Sequence, residues 1–307
     1  MITSIFSKSK PINFIVVFFI VLLAFLIARV QLVNEAITIG LVFKELGLLF
    51  VCLGSVLLLN FIVSKNSLTR FGNYEILLFS LFLLALPQST GDANILLANF
   101  FVLLAIRRII SLRSQLHVRK KLFDTAFWIA IASLFYFWAL LFFILIPITL
   151  LLYTDNKIKH WIIPFVGVVT VFVICVSISI VWNGSFFGIF VNLPEWSYDF
   201  KNYNTLKFLL FITTLFSFGL WSSLFYIKNL KQKKKAFRPS FTVVIIAAVI
   251  ATAIIVLAPE KNGSEFLFLF APSAVIITNY IETIEETWFK ELFLAILFLV
   301  PFVLLFI

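Results

Sequence analysis

Ten apolar runs follow one another along this chain, and they constrain its fold more than any other feature. They cover approximately residues 11–31, 37–63, 74–88, 93–110, 122–153, 161–182, 205–227, 239–258, 266–280 and 290–307. About 20 apolar residues in a helix cross the ~30 Å hydrocarbon core of a bilayer, and most of these runs approach or exceed that length. Of the 307 residues, 63% are apolar, 12% are charged and 40 are phenylalanine, a load that a water-soluble domain of this size does not bury. The runs do not alternate apolar with polar residues, so they are not strands of an outer-membrane barrel. The fold class is therefore all-α: a polytopic transmembrane bundle forming one integral membrane domain over residues 1–307.

The first run follows Lys8 and Lys10 and imitates a secretion signal. It is too long for one, and no small-x-small site closes it, so it reads as a retained span. Leu122–Tyr153 raises the harder question, with 32 residues and no charge after Asp124. As one helix it would be about 48 Å long at ~1.5 Å per residue, too long for a single crossing without severe tilt. Basic residues decide, because short cytoplasmic loops collect Lys and Arg. With crossings near 122–137 and 138–153, the N-terminus, 64–73, 107–121, 154–160, 228–238 and 281–291 share one face, which holds 19 of the 24 Lys and Arg. A single crossing would leave only 13 of them on that face. The hairpin is the expectation: about eleven spans, the N-terminus cytoplasmic and the C-terminus outside.

This layout puts about +12 on the cytoplasmic face and about −2 on the outer one, which accounts for the net charge of +10 without nucleic acid. The loop Lys228–Arg238, "KNLKQKKKAFR", is a positive-inside loop that also suits anionic headgroups. In Arg107–Lys121, the spacing of Ile109, Leu112 and Leu116 predicts an interfacial helix. Ile281, Ile284 and Trp288 fall on one helical stripe opposite Glu282, Glu285 and Glu286, an acidic patch expected to dock the basic loop.

Much chemistry is excluded by counting ligands. The two cysteines, Cys52 and Cys175, lie inside apolar runs and imply no disulfide framework. The two histidines, His117 and His160, lie on loops, and Met1 is the sole methionine, so neither haem nor a His-rich iron or zinc centre can be assembled. No phosphate-binding or dinucleotide glycine motif is present. No cofactor is evident; a divalent cation on outer carboxylates is the one candidate. Inside the spans the charged exceptions are Lys44 and Glu45, with Arg29 near the outer end of the first. An Arg29–Glu45 pair tying two spans together and a binding site are equally good readings of them.

The candidate site residues therefore gather on the outer side: Glu35, Asp92, Glu195, Trp196, Asp199, Lys261 and Glu265, with Arg29, Lys44 and Glu45 below them. Carboxylates accept hydrogen bonds from hydroxyls or act as general bases, and aromatic faces cover the C–H surfaces of sugars. Trp196 also suits an interfacial aromatic belt. In "LAPEKNGSEFLFLFAP", Leu257–Pro272, the "KNG" triplet predicts a tight outer turn through Asn and Gly at positive φ.

Two resemblances attach to these residues. The opening "SIFSKSKPINFI" and the closing "SEFLFLFAPSAVIITNYIE" make the whole chain look like a flavobacterial (Bacteroidota) family of polytopic membrane proteins whose members often carry a beta-carotene monooxygenase label. The ligand count above rejects that activity for this chain. More weakly, the rhythm of "LLAIRRIISLRSQLHVRKKLFDTAFWIAIASLFYFWALLFFILI" is similar to that of polytopic GT-C glycosyltransferases. That resemblance implies polyprenyl-phosphate sugars at an outward site, Glu35 as base or metal ligand, and Lys261 with Lys44 or Arg29 holding phosphate. The first outer loop is short and has Glu35 alone, where those enzymes carry paired acids. The expected function is a bacterial inner-membrane envelope protein handling a polyprenyl-linked sugar or lipid at its outer face. The alternatives are a non-catalytic subunit of an envelope assembly (secretion, gliding motility or glycan export) or a lipid or solute transporter with a continuous polar path. Expected partners are membrane lipids, a polyprenyl-phosphate-linked glycan and other membrane subunits.

Overall fold

The computed structural model of the chain describes residues 2–30, 38–70, 72–153, 157–187 and 195–307. Among the described residues there are twelve α-helices, short 3-10 turns and no strand. In order they are α1 (Ile2–Phe6), α2 (Pro11–Ala28), α3 (Ile39–Asn66), α4 (Tyr74–Ala85), α5 (Ala93–Ile110), α6 (Val118–Phe135), α7 (Leu145–Leu152), α8 (Ile158–Asn183), α9 (Leu206–Leu230), α10 (Arg238–Leu257), α11 (Leu267–Thr283) and α12 (Thr287–Phe306). Eight helices, counting the 3-10 turns continuous with α5 and α11, are long and apolar enough to cross a membrane. By helix length and composition this is a multi-pass membrane protein.

Helices α4 and α11 form the centre. Every residue of α4 and nearly every residue of α11 is buried, which suits sequences that are apolar all round rather than on one stripe. Around them, α2, α3, α9, α10 and α12 turn one face inward. The long apolar faces of α8 and α9 point outward and remain largely uncovered by the chain itself.

The run Leu122–Tyr153 is broken at Tyr136, whose extended backbone (φ −144°, ψ 108°) separates α6 from a 3-10 helix over Phe137–Ile144 that continues into α7. The two arms lie against each other. The return arm starts beside Glu195, whose carbonyl accepts from Trp138 Nε1 at 3.0 Å. It ends beside α10, where the Tyr153 hydroxyl is 3.5 Å from Ser240 Oγ. The 3-10 portion matters. Rising ~2.0 Å per residue over half its length and ~1.5 Å over the rest, the arm reaches about 28 Å, whereas an α-helix of the same residues would reach about 24 Å.

Contacts gather the basic loops at one end. The Asn66 carbonyl accepts from Arg113 at 2.8 Å, the Thr3 carbonyl from the Tyr74 hydroxyl at 2.7 Å, and the Glu282 carboxylate from the Arg70 backbone N–H at 2.8 Å. Arg113 also lies over the Phe237 ring, with 4.2 Å to its centroid. The turns that carry Thr90, Trp138, Asn202 and Ser264 meet at the opposite end.

Two local expectations differ from the structure. Residues 107–121 are not one interfacial helix: α5 runs on to Ile110, a 3-10 turn follows, and Gln115 and His117 take left-handed backbone (φ 52° and 50°) before α6 begins. Ile109 and Leu112 are buried while Leu116 is exposed, so the three do not share a surface stripe. Likewise the helix ends at Thr283, which separates buried Ile281 from exposed Trp288. Glu282 bonds to the backbone of Arg70 rather than to the basic loop 228–238, although Lys233 is close enough to affect it electrostatically.

Candidate functional site

At the end away from the basic loops lies a cleft of about 430 Å³. Its walls are the start of α5, the tip of the α6–α7 hairpin, the strap beginning at Glu195 and the α10–α11 turn. Hydrogen bonds join these walls. Trp138 ties the hairpin tip to the strap, Asn202 Nδ2 donates to the Glu260 carbonyl at 2.9 Å, and Ser264 Oγ donates to the Gln88 carbonyl at 3.0 Å.

The α10–α11 turn is the most constrained part. Lys261 is fully buried and, with φ 46°, takes a left-handed conformation; Gly263 has the positive φ expected of it, and Asn262 does not. Its ammonium donates to the carbonyls of Val256 (2.8 Å), Ala258 (2.9 Å) and, at longer range, Ile255 (3.4 Å), the acceptors left open where α10 ends. The same ammonium lies 4.5 Å from the Phe200 ring centroid. Burial holds its pKa below the ordinary lysine value of 10.5, and nearby Glu265 pulls the other way. Gly263, at φ 97°, gives its N–H to both oxygens of Glu265 at 3.0 and 3.1 Å. The Tyr203 hydroxyl also donates to the Glu265 carboxylate. Burial, and then the Glu265 charge, push that phenol above its ordinary value of 10.

The remaining acids stand differently. Asp92 caps α5, one oxygen accepting the N–H groups of Asn94 (2.8 Å) and Ile95 (3.2 Å). Glu195 and Glu260 line the cleft and are exposed. Asp199 pairs with Lys201 at 3.3 Å in solvent, where the backbone N–H of Lys201 lowers its pKa, and Trp196 is exposed; neither lines the cleft. Arg29 and Glu45 do not reach it either. They pair with each other between α2 and α3, and the Arg29 guanidinium also donates to the carbonyls of Thr90 (3.1 Å) and Phe25 (3.3 Å). Lys44 is exposed on α3, and Glu35 lies outside the described residues. Among the described residues, no group of three or more His, Cys, Asp or Glu side chains is placed to hold a metal.

Sequence reasoning missed Tyr136 and Trp138. Their signal was the aromatic tip "FYFW" at the midpoint of the long run, where a hairpin must turn at the membrane boundary and Tyr and Trp are favoured. It also passed over two acids inside the runs. Glu75 is buried at the start of α4, with Oε2 lacking a hydrogen-bond partner, and Asp124 faces Arg108 at 2.9 Å.

Fold and cleft together define a multi-pass helical membrane protein with an acid-lined pocket at the end opposite its basic loops. The chain belongs to DUF6427, a family of unknown function, whose model matches residues 1–307. No curated protein and no solved structure matches it.

Proposed function

We propose that this protein is a bacterial inner-membrane envelope protein that crosses the bilayer eleven times and holds the sugar headgroup of a polyprenyl-linked or other lipid-linked glycan in the acidic cleft. The basic end lies in the cytoplasm, as the charge asymmetry of its loops supports, so the cleft opens outward. One observation carries the ligand class: among the described residues, the cleft offers carboxylates without a free cation. Among the described residues, Glu195, one oxygen of Glu260 and the second oxygen of Asp92 are open acceptors, the other Glu260 oxygen accepting from Asn262 Nδ2 at 3.1 Å, while the lining Lys261 gives its ammonium to backbone carbonyls. Such a surface accepts hydrogen bonds from hydroxyls and repels phosphate. Trp138, Phe137 and Tyr136 add aromatic faces for the C–H side of a sugar ring.

The reading keeps the glycan that the GT-C resemblance suggested and moves the phosphate outside the cleft. Any catalytic step would rest on Glu35, and Glu35→Gln tests it: full complementation by that variant removes the catalytic role. For binding, polyprenyl-phosphoryl hexose and bare polyprenyl phosphate are compared in a non-glycosidic detergent. The hexose lipid should bind at least tenfold more tightly, and Glu195→Gln with Glu260→Gln should erase the difference. Equal binding of the two lipids would remove the sugar site. Orientation is tested by labelling intact cells: cysteine at 199 should react from outside and cysteine at 232 should not.

A further inference from the structure

A second pocket, separate from the cleft, opens sideways between α9 and α10. These helices are consecutive in the chain yet barely touch each other, and both pack on α11 instead. The result is a groove of about 380 Å³, within the usual range for small-molecule sites. One face of α9 (Phe216, Gly219, Ser223) and one of α10 (Ala248, Thr252) form its walls, and Ser273 of α11 lies in its floor. Gly219 does not serve close helix packing, because a Cβ added there would meet nothing within 4 Å.

The segment that joins the two walls is the most basic of the chain. Ile227 lines the groove, and Lys228, Lys231, Lys234 and Lys235 follow it on exposed positions with no side-chain partner among the described residues. The other two cations of the loop are engaged. Lys233 lies over the Phe241 ring, and Arg238 donates to the carbonyls of Lys231 and Lys233. An apolar slot between the two helices thus adjoins, through Ile227, the segment that carries four exposed lysines.

We infer that this groove is a binding site for an anionic phospholipid, with an acyl chain between α9 and α10 and the phosphate under Lys228, Lys231, Lys234 and Lys235. Apolar burial and phosphate attraction act on the same molecule there. The site does not depend on the sugar-binding reading of the cleft.

The test is native mass spectrometry of the full chain released from mild detergent after incubation with phosphatidylglycerol or phosphatidylcholine of identical acyl chains. The wild type should retain one phosphatidylglycerol, with at least tenfold less phosphatidylcholine. Gly219→Phe fills open space rather than occupied space, and it should reduce phosphatidylglycerol to the phosphatidylcholine level while leaving the unfolding temperature unchanged. The quadruple variant K228Q/K231Q/K234Q/K235Q leaves both helices intact and should abolish the preference for phosphatidylglycerol. The inference is overturned if the wild type retains both lipids equally. It also fails if Gly219→Phe folds and binds as the wild type does, if the quadruple variant keeps the preference, or if a stoichiometric protein partner occupies the groove. Should Gly219→Phe fail to fold, the quadruple variant decides alone.

Discussion

Gly263→Ala is the sharpest test of how the cleft is held. At φ 97° the position lies where an L residue is strained, a cost of about 1–2 kcal/mol. The added Cβ would also sit 2.9 Å from Cε1 and 3.0 Å from Cζ of Phe208, and 3.3 Å from Cδ2 of Leu86. Neither neighbour is a free end. The Phe208 ring packs on Tyr203, with 5.3 Å between centroids, and Leu86 is fully buried. Overpacking of this kind costs about 1–3 kcal/mol, so the total is about 2–5 kcal/mol. Shifting the backbone to relieve the clash would open the two bonds from the Gly263 N–H to Glu265, so relief has its own cost. Gly219→Ala is the matched control. It lies inside α9 with nothing within 4 Å of the new Cβ, and the change favours the helix by up to ~1 kcal/mol. Both cysteines are free and buried in helices, so a thiol-reactive fluorophore reports unfolding directly. At about 2 °C or more per kcal/mol, Gly263→Ala should lower the midpoint by at least ~4 °C while Gly219→Ala leaves it level or raises it. A Gly263→Ala midpoint within about 1 °C of wild type would show that the turn does not hold the geometry described here.

Arg29→Met should destabilise by about 2–4 kcal/mol, because it leaves Glu45 unpaired and two carbonyls without their donor. The double variant with Glu45→Met should recover much of that loss, and additive effects in the cycle would deny the pair. Tyr203→Phe removes a hydroxyl donor from a buried carboxylate, a loss of about 1.5–3 kcal/mol. Because the folded phenol titrates above its ordinary value of 10, its contribution is complete below that pH and is lost as pH rises through the folded value. The unfolding midpoint of the wild type should therefore fall more steeply above pH 10 than that of Tyr203→Phe, and parallel curves would contradict the assignment.

What was legible in the sequence, and what was not, follows from one asymmetry. A helix in lipid must be apolar for most of its length, so every helix of α2–α12 lies on a run that could be read directly, and the break at Tyr136 falls within the run whose length demanded one. The roles of the few ions could not be read that way, because their partners are backbone groups that composition does not display. Lys261 looked like a phosphate ligand beside a tight turn; in the fold it completes the end of α10, only three to six residues earlier in the chain. Arg29 likewise closes on Glu45 and on the carbonyls of Phe25 and Thr90. Where the surroundings are apolar, an ion meets the unpaired acceptors around it before it is free to meet anything else. Applied to the cleft, that rule describes its lining: once the cations are committed, Glu195, one oxygen of Glu260 and one of Asp92 are what remains open among the described residues, and such a surface suits hydroxyls better than phosphate.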